Sequence, residues 1–182
     1  RAHRLYCDAG PVAALILAEE MVAGPEYSSD FIVADGQVRL LRLARKIPAG
    51  NTPFGTTGGY ELRDDPPAGV SRAVFLETLR RSAAALGIQR GICMLDFIVR
   101  GSEMVLLEIA PRPGGDCLPF LLRQSHHMDI LKLSLDFARG APCPDGDPRI
   151  AGGTFLGLRL IARRDGVLKR IDTTRLARDP RV

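Results

Sequence analysis

The stretch that decides the fold is GICMLDFIVRGSEMVLLEIAPRPGG, residues 91–115. Apolar and polar side chains alternate on both sides of Ser102, which predicts two antiparallel strands joined as a hairpin. A slip of one residue would move every side chain to the other face, so the pairing register is strongly constrained. The register that keeps one face wholly apolar centres the turn on Ser102 and sets Asp96 directly opposite Glu108. The expected apolar face consists of Leu95, Phe97, Val99, Val105, Leu107 and Ile109.

The two facing carboxylates, Asp96 and Glu108, require a compensating cation. Directly opposed residues have Cβ atoms about 4.5–5.5 Å apart, where like charges repel. Mg²⁺ suits such a pair, because it prefers oxygen ligands and takes one or two carboxylates together with substrate phosphates. Two interpretations stay open on spacing alone: a divalent metal site, or the solvated face of an edge hairpin. The apolar neighbours Ile98 and Leu106 are unusual for a fully solvated face.

Arg112 follows Glu108 by four residues and precedes a Gly-Gly pair. Its guanidinium can bind a phosphate or a carboxylate with two parallel hydrogen bonds. The alternative is an ordinary exposed arginine, since most arginines lie on the surface. Its position beside the carboxylate pair favours a site residue.

An earlier hairpin is predicted for residues 26–34 and 37–46, because Asp35-Gly36 is the strongest short signal for a type I′ turn. A turn of two residues there sets Val33 opposite Val38 and Phe31 opposite Leu40. Continued without interruption, this register sets Glu26 opposite Arg45.

The remaining elements alternate between helices, loops and strands. Ser71 is expected to cap a helix over residues 72–86 that Gly87 ends, and further helices are expected at 118–124 and 129–139. Residues 13–22 are ambiguous between helix and strand, and residues 48–69 indicate a long loop near the site. Two final strands are expected at 154–162 and 167–171. The fold class is therefore α+β, an antiparallel sheet with flanking helices.

Composition narrows the classes of function. The chain has 182 residues, 46% of them hydrophobic, and no apolar run that could span a bilayer. Its 22 arginines and 3 lysines are scattered rather than clustered, so neither nucleic acid nor membrane is an expected partner. Four cysteines without CxxC spacing predict reduced thiols, and no leader precedes them, so the expected location is cytoplasmic. The first residue is Arg1, which is expected for a fragment of a longer protein.

Three motifs together resemble the C-terminal half of the ATP-grasp superfamily. They are LEIAPRPGGD at residues 107–116, the Asp of MLDFI at residues 94–98, and LAEEMVAGPEYS at residues 17–28. Their order and spacing agree with that family over residues 13–140. The resemblance implies that residues 1–140 form the C-terminal portion of an ATP-grasp domain. Residues 141–182 would be a linker and a strand pair that packs on or extends it.

The resemblance also implies roles for individual residues. An adenine-binding hinge would consist of Glu20, Met21 and Val22, and Glu26 would bind the ribose hydroxyls. Mg²⁺, or Mn²⁺ in its place, would bridge the ATP phosphates from Asp96 and Glu108. Arg112 would face the acyl phosphate or the transferring phosphoryl group, and Arg45 and Lys46 would contact phosphate or substrate. The position two residues after Glu108, where many members have Asn, is Ala110, which leaves a second metal ion in question.

The activity implied is that of an ATP-dependent carboxylate–amine ligase of the L-amino acid ligase type, acting through an acyl phosphate. The substrates would be a small-molecule carboxylate and an amine, and a homodimer is expected because such enzymes usually dimerise. Three alternatives stay open: a biotin-carboxylase-like enzyme, a purine-biosynthesis-like enzyme, and a non-catalytic fragment. The family's upstream lysine-bearing subdomain is not matched in this sequence, so an isolated fragment is expected to be inactive. The pair His126-His127 is expected to consist of capping or partly exposed residues rather than catalytic ones.

Overall fold

The computed structural model of the chain describes residues 19–50, 56–144, 154–162, 166–167 and 169–179. Its first hairpin joins β1 (Glu26–Ala34) to β2 (Gln37–Pro48) through the predicted turn, in which Asp35 and Gly36 both have positive φ. Val33 pairs with Val38 and Phe31 with Leu40, as predicted.

Beyond Phe31 the predicted register of this hairpin is wrong by one residue. Asp30 pairs with Arg42 while Phe31 pairs with Leu40, so Leu41 is an extra residue in β2. Such a bulge shifts every later pair. Arg45 therefore lies opposite Tyr27 instead of Glu26.

The second hairpin joins β4 (Arg90–Arg100) to β5 (Glu103–Ala110). Asp96 lies opposite Glu108, as predicted, but by a different route: the turn contains only Gly101 and Ser102, and Leu107 is an extra residue in β5. The predicted apolar face is correspondingly wrong in part. Met104 and Ile109 pack against the core, and Leu107 is exposed.

Two more strands extend the sheet beyond β2. Residues 57–63, predicted as loop, form β3 (Thr57–Arg63), and β6 (Leu156–Leu158) pairs with it. The antiparallel sheet has the order β5-β4-β1-β2-β3-β6. The prediction of a strand at 167–171 is wrong, because none of the residues described there, 167 and 169–171, belongs to a strand.

One face of the sheet packs against α1 (Arg72–Ala85). Ser71 caps this helix as predicted, since its side chain accepts a hydrogen bond from the Val74 amide, and Gly87 follows with φ 69°. The apolar core beneath the helix contains Phe31, Phe75, Leu79, Leu95 and Phe97, all fully buried.

The opposite face packs against α2 (Leu118–His126) and α3 (Ile130–Ala138). Asp129 caps α3, and Gly140 follows it with φ 94°. The two helices contact the part of the sheet around Ile32, Ile92 and Ala44. Glu26, Lys46 and Asp96 lie on the same face of the sheet. Asp96 is level with Ser28 and Ala44, and Glu26 and Lys46 lie two residues further along their strands.

Two of the predicted segments fall partly outside the described residues. Of residues 13–22, only 19–22 are described, and they form neither helix nor strand. Most of the expected linker, residues 145–153, also lies outside. None of the described helices is long and apolar enough to cross a membrane.

Candidate functional site

A cleft of about 720 Å³ opens beside the ends of β1, β2 and β4. One wall is the segment of residues 19–25, named here the hinge segment, from which residues 21–25 contribute. The rest of the lining is Glu26, Arg45, Lys46, Pro48, Ala49, Thr56, Thr57 and Ile98. The volume is in the range of small-molecule sites, which are about 300–1,000 Å³. The lining therefore includes Met21, Val22, Glu26, Arg45 and Lys46 of the predicted nucleotide-binding residues.

Lys46 joins this cleft to the carboxylate pair. Its Nζ donates to Glu26 Oε1 at 2.6 Å and to Asp96 Oδ2 at 2.5 Å. Burial by itself lowers the pKa of Lys46, but the hydrogen bonds and charges of the two carboxylates outweigh it and hold the pKa above its ordinary 10.5. Lys46 is thus a charged group at physiological pH, fixed between two carboxylates.

The bulge at Leu41 explains why Lys46, and not Arg45, contacts Glu26. Side chains alternate between the faces of a strand, so one extra residue exchanges the faces of all residues that follow it. In the uninterrupted register Arg45 would share a face with Glu26. In the structure Arg45 is exposed and lies opposite Tyr27, and Lys46 contacts the carboxylates.

Asp96 has one oxygen in use and one free. Oδ2 accepts from Lys46, while Oδ1 is buried and has no hydrogen-bond donor among the residues that the structure describes. Glu108, its partner across β4 and β5, is exposed. A buried carboxylate oxygen without a donor is costly, so this atom is suited to a ligand that is not part of the chain.

The pair Asp96 and Glu108 fits Mg²⁺ in its donor atoms. Both are hard oxygen ligands, and Mg²⁺ in phosphate sites commonly uses one or two carboxylates. No group of three or more His, Cys, Asp or Glu side chains able to hold a metal occurs within the described ranges. Ala110 supplies no side-chain oxygen. The arrangement therefore fits a metal completed by phosphate and water oxygens rather than an all-protein cage.

The hinge segment is held against β4 by its backbone. The Val99 amide donates to the Pro25 carbonyl at 3.0 Å. Gly24 has φ 154°, and a Cβ at this position would lie 2.2 Å from the Val99 carbonyl oxygen. Only glycine allows this close approach. The sequence did not single out Gly24, although a Gly-Pro pair after an apolar run is a local signal for a special backbone.

Glu20, at the start of the hinge segment, does not line the cleft. Its carboxylate pairs with Arg100 at 3.2 Å, and its side chain is 75% exposed. Met21 does line the cleft and is also 75% exposed. Its apolar side chain is available to a flat ring in the cleft.

Arg112 lies in a different depression, of about 340 Å³. Arg90, Ile92, Ser134 and Phe137 line it as well. The Arg90 guanidinium stacks 3.8 Å above the Phe137 ring and donates to main-chain carbonyls of α3 and the turn after it. Arg112 itself is exposed, and its guanidinium donates to the neighbouring Pro113 carbonyl at 3.0 Å.

The cleft, the carboxylate pair and this depression follow one another along β4. Ile98 borders the cleft, Asp96 carries the carboxylate, and Ile92 borders the depression, all on the same face because they are separated by even numbers of residues. At about 3.4 Å per residue, Asp96 is about 7 Å from Ile98 and about 14 Å from Ile92. The carboxylates thus stand between the two concave sites.

A buried ion pair on this face was not expected from the sequence. Asp30 and Arg42 are opposite each other on β1 and β2, and both side chains are completely buried. Asp30 gave a signal, because it is the lone charged residue in an otherwise apolar or small-residue stretch, residues 27–34. Arg42 gave none, because Arg39, Arg45 and Lys46 are close to it in the chain. Tyr60, opposite Lys46 on β3, was also missed, because β3 was not expected.

Both histidines lie at the C-terminal end of α2, and the expected cap is confirmed for His127. His127 caps α2 in the left-handed conformation, with φ 52°. His126 is partly buried, and its Nδ1 lies 2.6 Å from Ser125 Oγ. Burial lowers the pKa of His126, and Asp64 offsets part of the effect. Neither histidine lines the cleft or the depression.

No protein-family model and no curated protein sequence matches the chain. Solved structures do match. The L-amino acid ligase of Bacillus licheniformis aligns with 64% of this chain at 20% identity and a TM-score of 0.54. The phosphoribosylglycinamide synthetase of Anaerococcus prevotii aligns with 65% at 19% identity and a TM-score of 0.54.

The biotin carboxylase domain of the Hydrogenobacter thermophilus 2-oxoglutarate carboxylase aligns with 76% of the chain at 14% identity and a TM-score of 0.55. That structure is a domain dimer in complex with MgADP, ADP and bicarbonate. In each of the three comparisons the alignment spans 30% of the other protein's length.

All three of these proteins are ATP-grasp enzymes. At such low identities the likeness concerns the fold alone. The described part of this chain therefore has the α+β fold of about a third of an ATP-grasp enzyme, as its three motifs predicted.

Proposed function

We propose that the protein is an ATP-dependent ligase that joins a carboxylate to an amine through an acyl phosphate, and that this chain binds the magnesium nucleotide. One observation carries the proposal: a cleft of suitable size ends at Lys46, which holds an Asp96 whose second oxygen is buried without a described donor. A cation and two facing carboxylates beside such a cleft are what a nucleotide with its metal requires.

In this proposal the nucleotide lies along the hinge segment. Met21 and Val22 supply an apolar surface for adenine, and Glu20 contributes only its backbone, because its side chain is turned to Arg100. Glu26 is the ribose acceptor. Its carboxylate is already oriented by Lys46, so little side-chain entropy is lost when a hydroxyl donates to it.

Lys46 and Arg45 are the cations for the phosphates, with Lys46 the better placed of the two. It is the partly buried group that reaches from the cleft to Asp96, and a buried charge acts more strongly than an exposed one. Asp96 and Glu108 would hold Mg²⁺, which when bound neutralises charge on the phosphate oxygens.

Arg112 then orients the carboxylate substrate from the depression on the other side of the carboxylate pair. A substrate oxygen attacks the γ-phosphorus, the bond to the bridging oxygen breaks, and ADP leaves. The amine nitrogen next attacks the acyl carbon, loses a proton, and inorganic phosphate leaves. Catalysis by this chain consists of positioning and charge neutralisation by Lys46 and Arg112.

The acyl phosphate is tested by trapping it with hydroxylamine. The intact protein is incubated with MgATP and each of the proteinogenic amino acids, and hydroxamate is measured by its colour with ferric ion. The expected result is a hydroxamate, formed together with an equal amount of ADP, for one class of amino acid. ADP release that depends on an amino acid but gives no hydroxamate contradicts the mechanism.

A carboxylation reaction is the second candidate. The likeness to the biotin carboxylase domain covers 76% of the chain, against 64% for the amino acid ligase. The discriminating measurement replaces the amino acid with bicarbonate. ATP cleavage that requires bicarbonate and biotin, with none in the presence of amino acids, favours this candidate. Cleavage with neither favours a non-catalytic fragment.

We also propose that residues 1–140 and 141–182 act as one structural unit. β6 belongs to residues 141–182, the second part, and forms the edge of the sheet beside β3. In addition, Arg159 pairs with Asp116, which lies directly after the Gly-Gly pair that follows Arg112. The second part is thus in a position to stabilise the loop that carries Arg112.

A further inference from the structure

The buried ion pair of Asp30 and Arg42 lies under the loop that follows β5. Arg42 Nε donates to Asp30 Oδ2 at 2.7 Å, and both side chains are 0% exposed. The other two nitrogens of the guanidinium donate to Ser28, one to its carbonyl at 3.0 Å and one to its hydroxyl at 3.1 Å. Every nitrogen of this buried cation therefore has an acceptor within the hairpin of β1 and β2.

The second oxygen of Asp30 reaches out of the hairpin. Oδ1 accepts from the Gly114 amide at 2.7 Å, a contact between residues 84 positions apart in the chain. A Cβ at Gly114 would lie 2.9 Å from the Arg42 guanidinium and 3.1 Å from Asp30 Oδ1. The loop of residues 111–116, named here the corner, thus packs directly on the ion pair, and glycine is needed for that approach.

Arg112 lies in the same corner, two residues before Gly114. Its amide donates to the Ala110 carbonyl at 2.8 Å, and its guanidinium has no carboxylate partner among the described residues. Side-chain contacts therefore do little to fix where Arg112 points. The position of its main chain depends on how the corner is attached to the sheet.

Stability alone gives little reason for a buried ion pair at this place. Replacing such a pair by apolar residues of similar size is often neutral or even stabilising, because two charges must be desolvated to form it. Asp30 accepts from Arg42 with one oxygen and from the distant Gly114 amide with the other. An apolar pair could not accept this second hydrogen bond. Asp30 thus fixes the corner relative to the hairpin.

We propose that Asp30 is a positioning residue, which holds the corner through the Gly114 amide and thereby fixes the main chain at Arg112. The role of Arg112 in the reaction rests on the proposed function, but the attachment of the corner does not.

The hydrogen bond from the Gly114 amide to Asp30, which attaches the corner to the sheet, is measured by NMR on the intact protein. The sequence contains a single Pro-Gly dipeptide, Pro113-Gly114, so labelling proline with ¹³C at the carbonyl and glycine with ¹⁵N selects the Gly114 amide alone. A short hydrogen bond to a carboxylate moves the amide proton downfield and slows its exchange with solvent. The same scheme with ¹⁵N-arginine selects Arg112, Arg149 and Arg181, and Arg112→Lys identifies the Arg112 signal.

Two variants separate the attachment from stability. In the double variant Asp30→Leu/Arg42→Met both charges are removed, so the fold is retained while the Gly114 acceptor is lost. In Asp30→Asn an oxygen is retained for Gly114, but Arg42 loses its counter-ion. A surface ion pair on α3 gives the matched control, Lys132→Met/Asp136→Leu.

The double variant is expected to melt within a few degrees of the wild type, with the Gly114 signal moved upfield and its exchange faster by about 10- to 100-fold, as for a lost hydrogen bond to a charged group. The Arg112 signal shifts with it. Asp30→Asn is expected to melt at a lower temperature yet keep the Gly114 shift. A double variant whose Gly114 and Arg112 signals match the wild type overturns the proposal.

The consequence for the reaction is measured separately. In the double variant, hydroxamate formation is expected to lose about 10- to 100-fold in kcat/KM, while the affinity for MgADP stays within about twofold of the wild type. Unchanged hydroxamate kinetics with a displaced corner also overturn the positioning role. If the wild type forms no hydroxamate, the proposed function fails, and the NMR signals still decide whether Asp30 holds the corner.

Discussion

The central strands β1, β2 and β4 present two faces that differ in chemistry. The face under α1 is apolar. There the ring centroid of Phe97 lies 5.5 Å from that of Tyr27 and 5.8 Å from that of Phe75, which belongs to α1. The opposite face carries Asp30, Arg42, Lys46 and Asp96 between its apolar patches.

We expect stability to depend mainly on the apolar face and function on the polar face. Alternation sends neighbouring residues of one strand to opposite faces, so Asp96 is next to Phe97 in the chain but on the other side of the sheet. The apolar face supplies burial, and the one polar side chain that β1 buries there, Ser29, donates to the Leu95 carbonyl. The polar face contains charged groups that largely pair with one another, while Asp96 Oδ1 and Arg39 Nη1 have no hydrogen-bond partner within the described residues.

The largest effect is expected on the apolar face. Phe97→Ala removes a fully buried ring that stacks on Tyr27 and contacts Phe75, and should lower the free energy of unfolding by about 3–5 kcal/mol. Urea unfolding followed by circular dichroism measures it. A loss below about 1 kcal/mol would mean that this face is not the stabilising core.

Next in size is the effect of Lys46→Met on the polar face. Loss of one charge-assisted contact to the phosphates should weaken ADP binding by about 10- to 100-fold. Adenosine binding should fall much less, because adenosine loses only the orientation that Lys46 gives to Glu26. Titration calorimetry with both ligands measures it. The control is Lys132→Met, which removes a surface lysine from α3. Equal losses for ADP and adenosine would contradict the assignment of Lys46 to the phosphates.

Gly24→Ala tests the hinge segment. The added Cβ would collide with the Val99 carbonyl oxygen, so the segment must move away from β4, at a cost of about 1–3 kcal/mol in ligand binding. Gly36→Ala is the matched control, since Gly36 also has positive φ but such a Cβ would have no atom of the described residues within 4 Å. We expect weaker adenosine binding in the first variant alone. Equal adenosine binding by the two variants would contradict a contact between the hinge segment and the ligand.

The smallest effect concerns pH. The pKa of His126 is lowered from its ordinary value of 6.5 by burial, so the unfolded chain binds a proton more readily than the folded one. Stability should therefore decrease as the pH falls from 6.5 to the folded-state pKa, and level off below it. His126→Gln should remove this slope in a thermal-unfolding series, and His127→Asn should keep it. A slope that survives His126→Gln assigns the effect to another group.

Much of the fold could be predicted from sequence because its signals are local. Asp35-Gly36 fixes one hairpin turn, and alternation around Ser102 fixes the other hairpin to within one residue. The cap at Ser71 and the apolar spacing after it locate α1. β3 was missed because the glycines and prolines in and around it favour a loop, and its strand conformation depends on pairing with β2.

The site was predicted less completely, since its geometry depends on two bulges. An extra residue at Leu41 and another at Leu107 leave no mark in the hydrophobic pattern, yet the first places Lys46 instead of Arg45 beside Glu26. The link from Asp30 to Gly114 joins residues far apart in the chain. Such a contact can be seen only when the fold is known.

The central claim is that Asp96 and Glu108 on the polar face hold the metal of a bound nucleotide. It is tested most directly by the Mg²⁺ dependence of ADP affinity in the intact protein, measured by calorimetry for the wild type, Glu108→Gln and Glu103→Gln. Glu103 is the control, an exposed glutamate on the same strand that pairs with Arg100. We predict that Mg²⁺ strengthens ADP binding about tenfold or more in the wild type and in Glu103→Gln, and not in Glu108→Gln. A Glu108→Gln variant that keeps the full Mg²⁺ effect would contradict the claim.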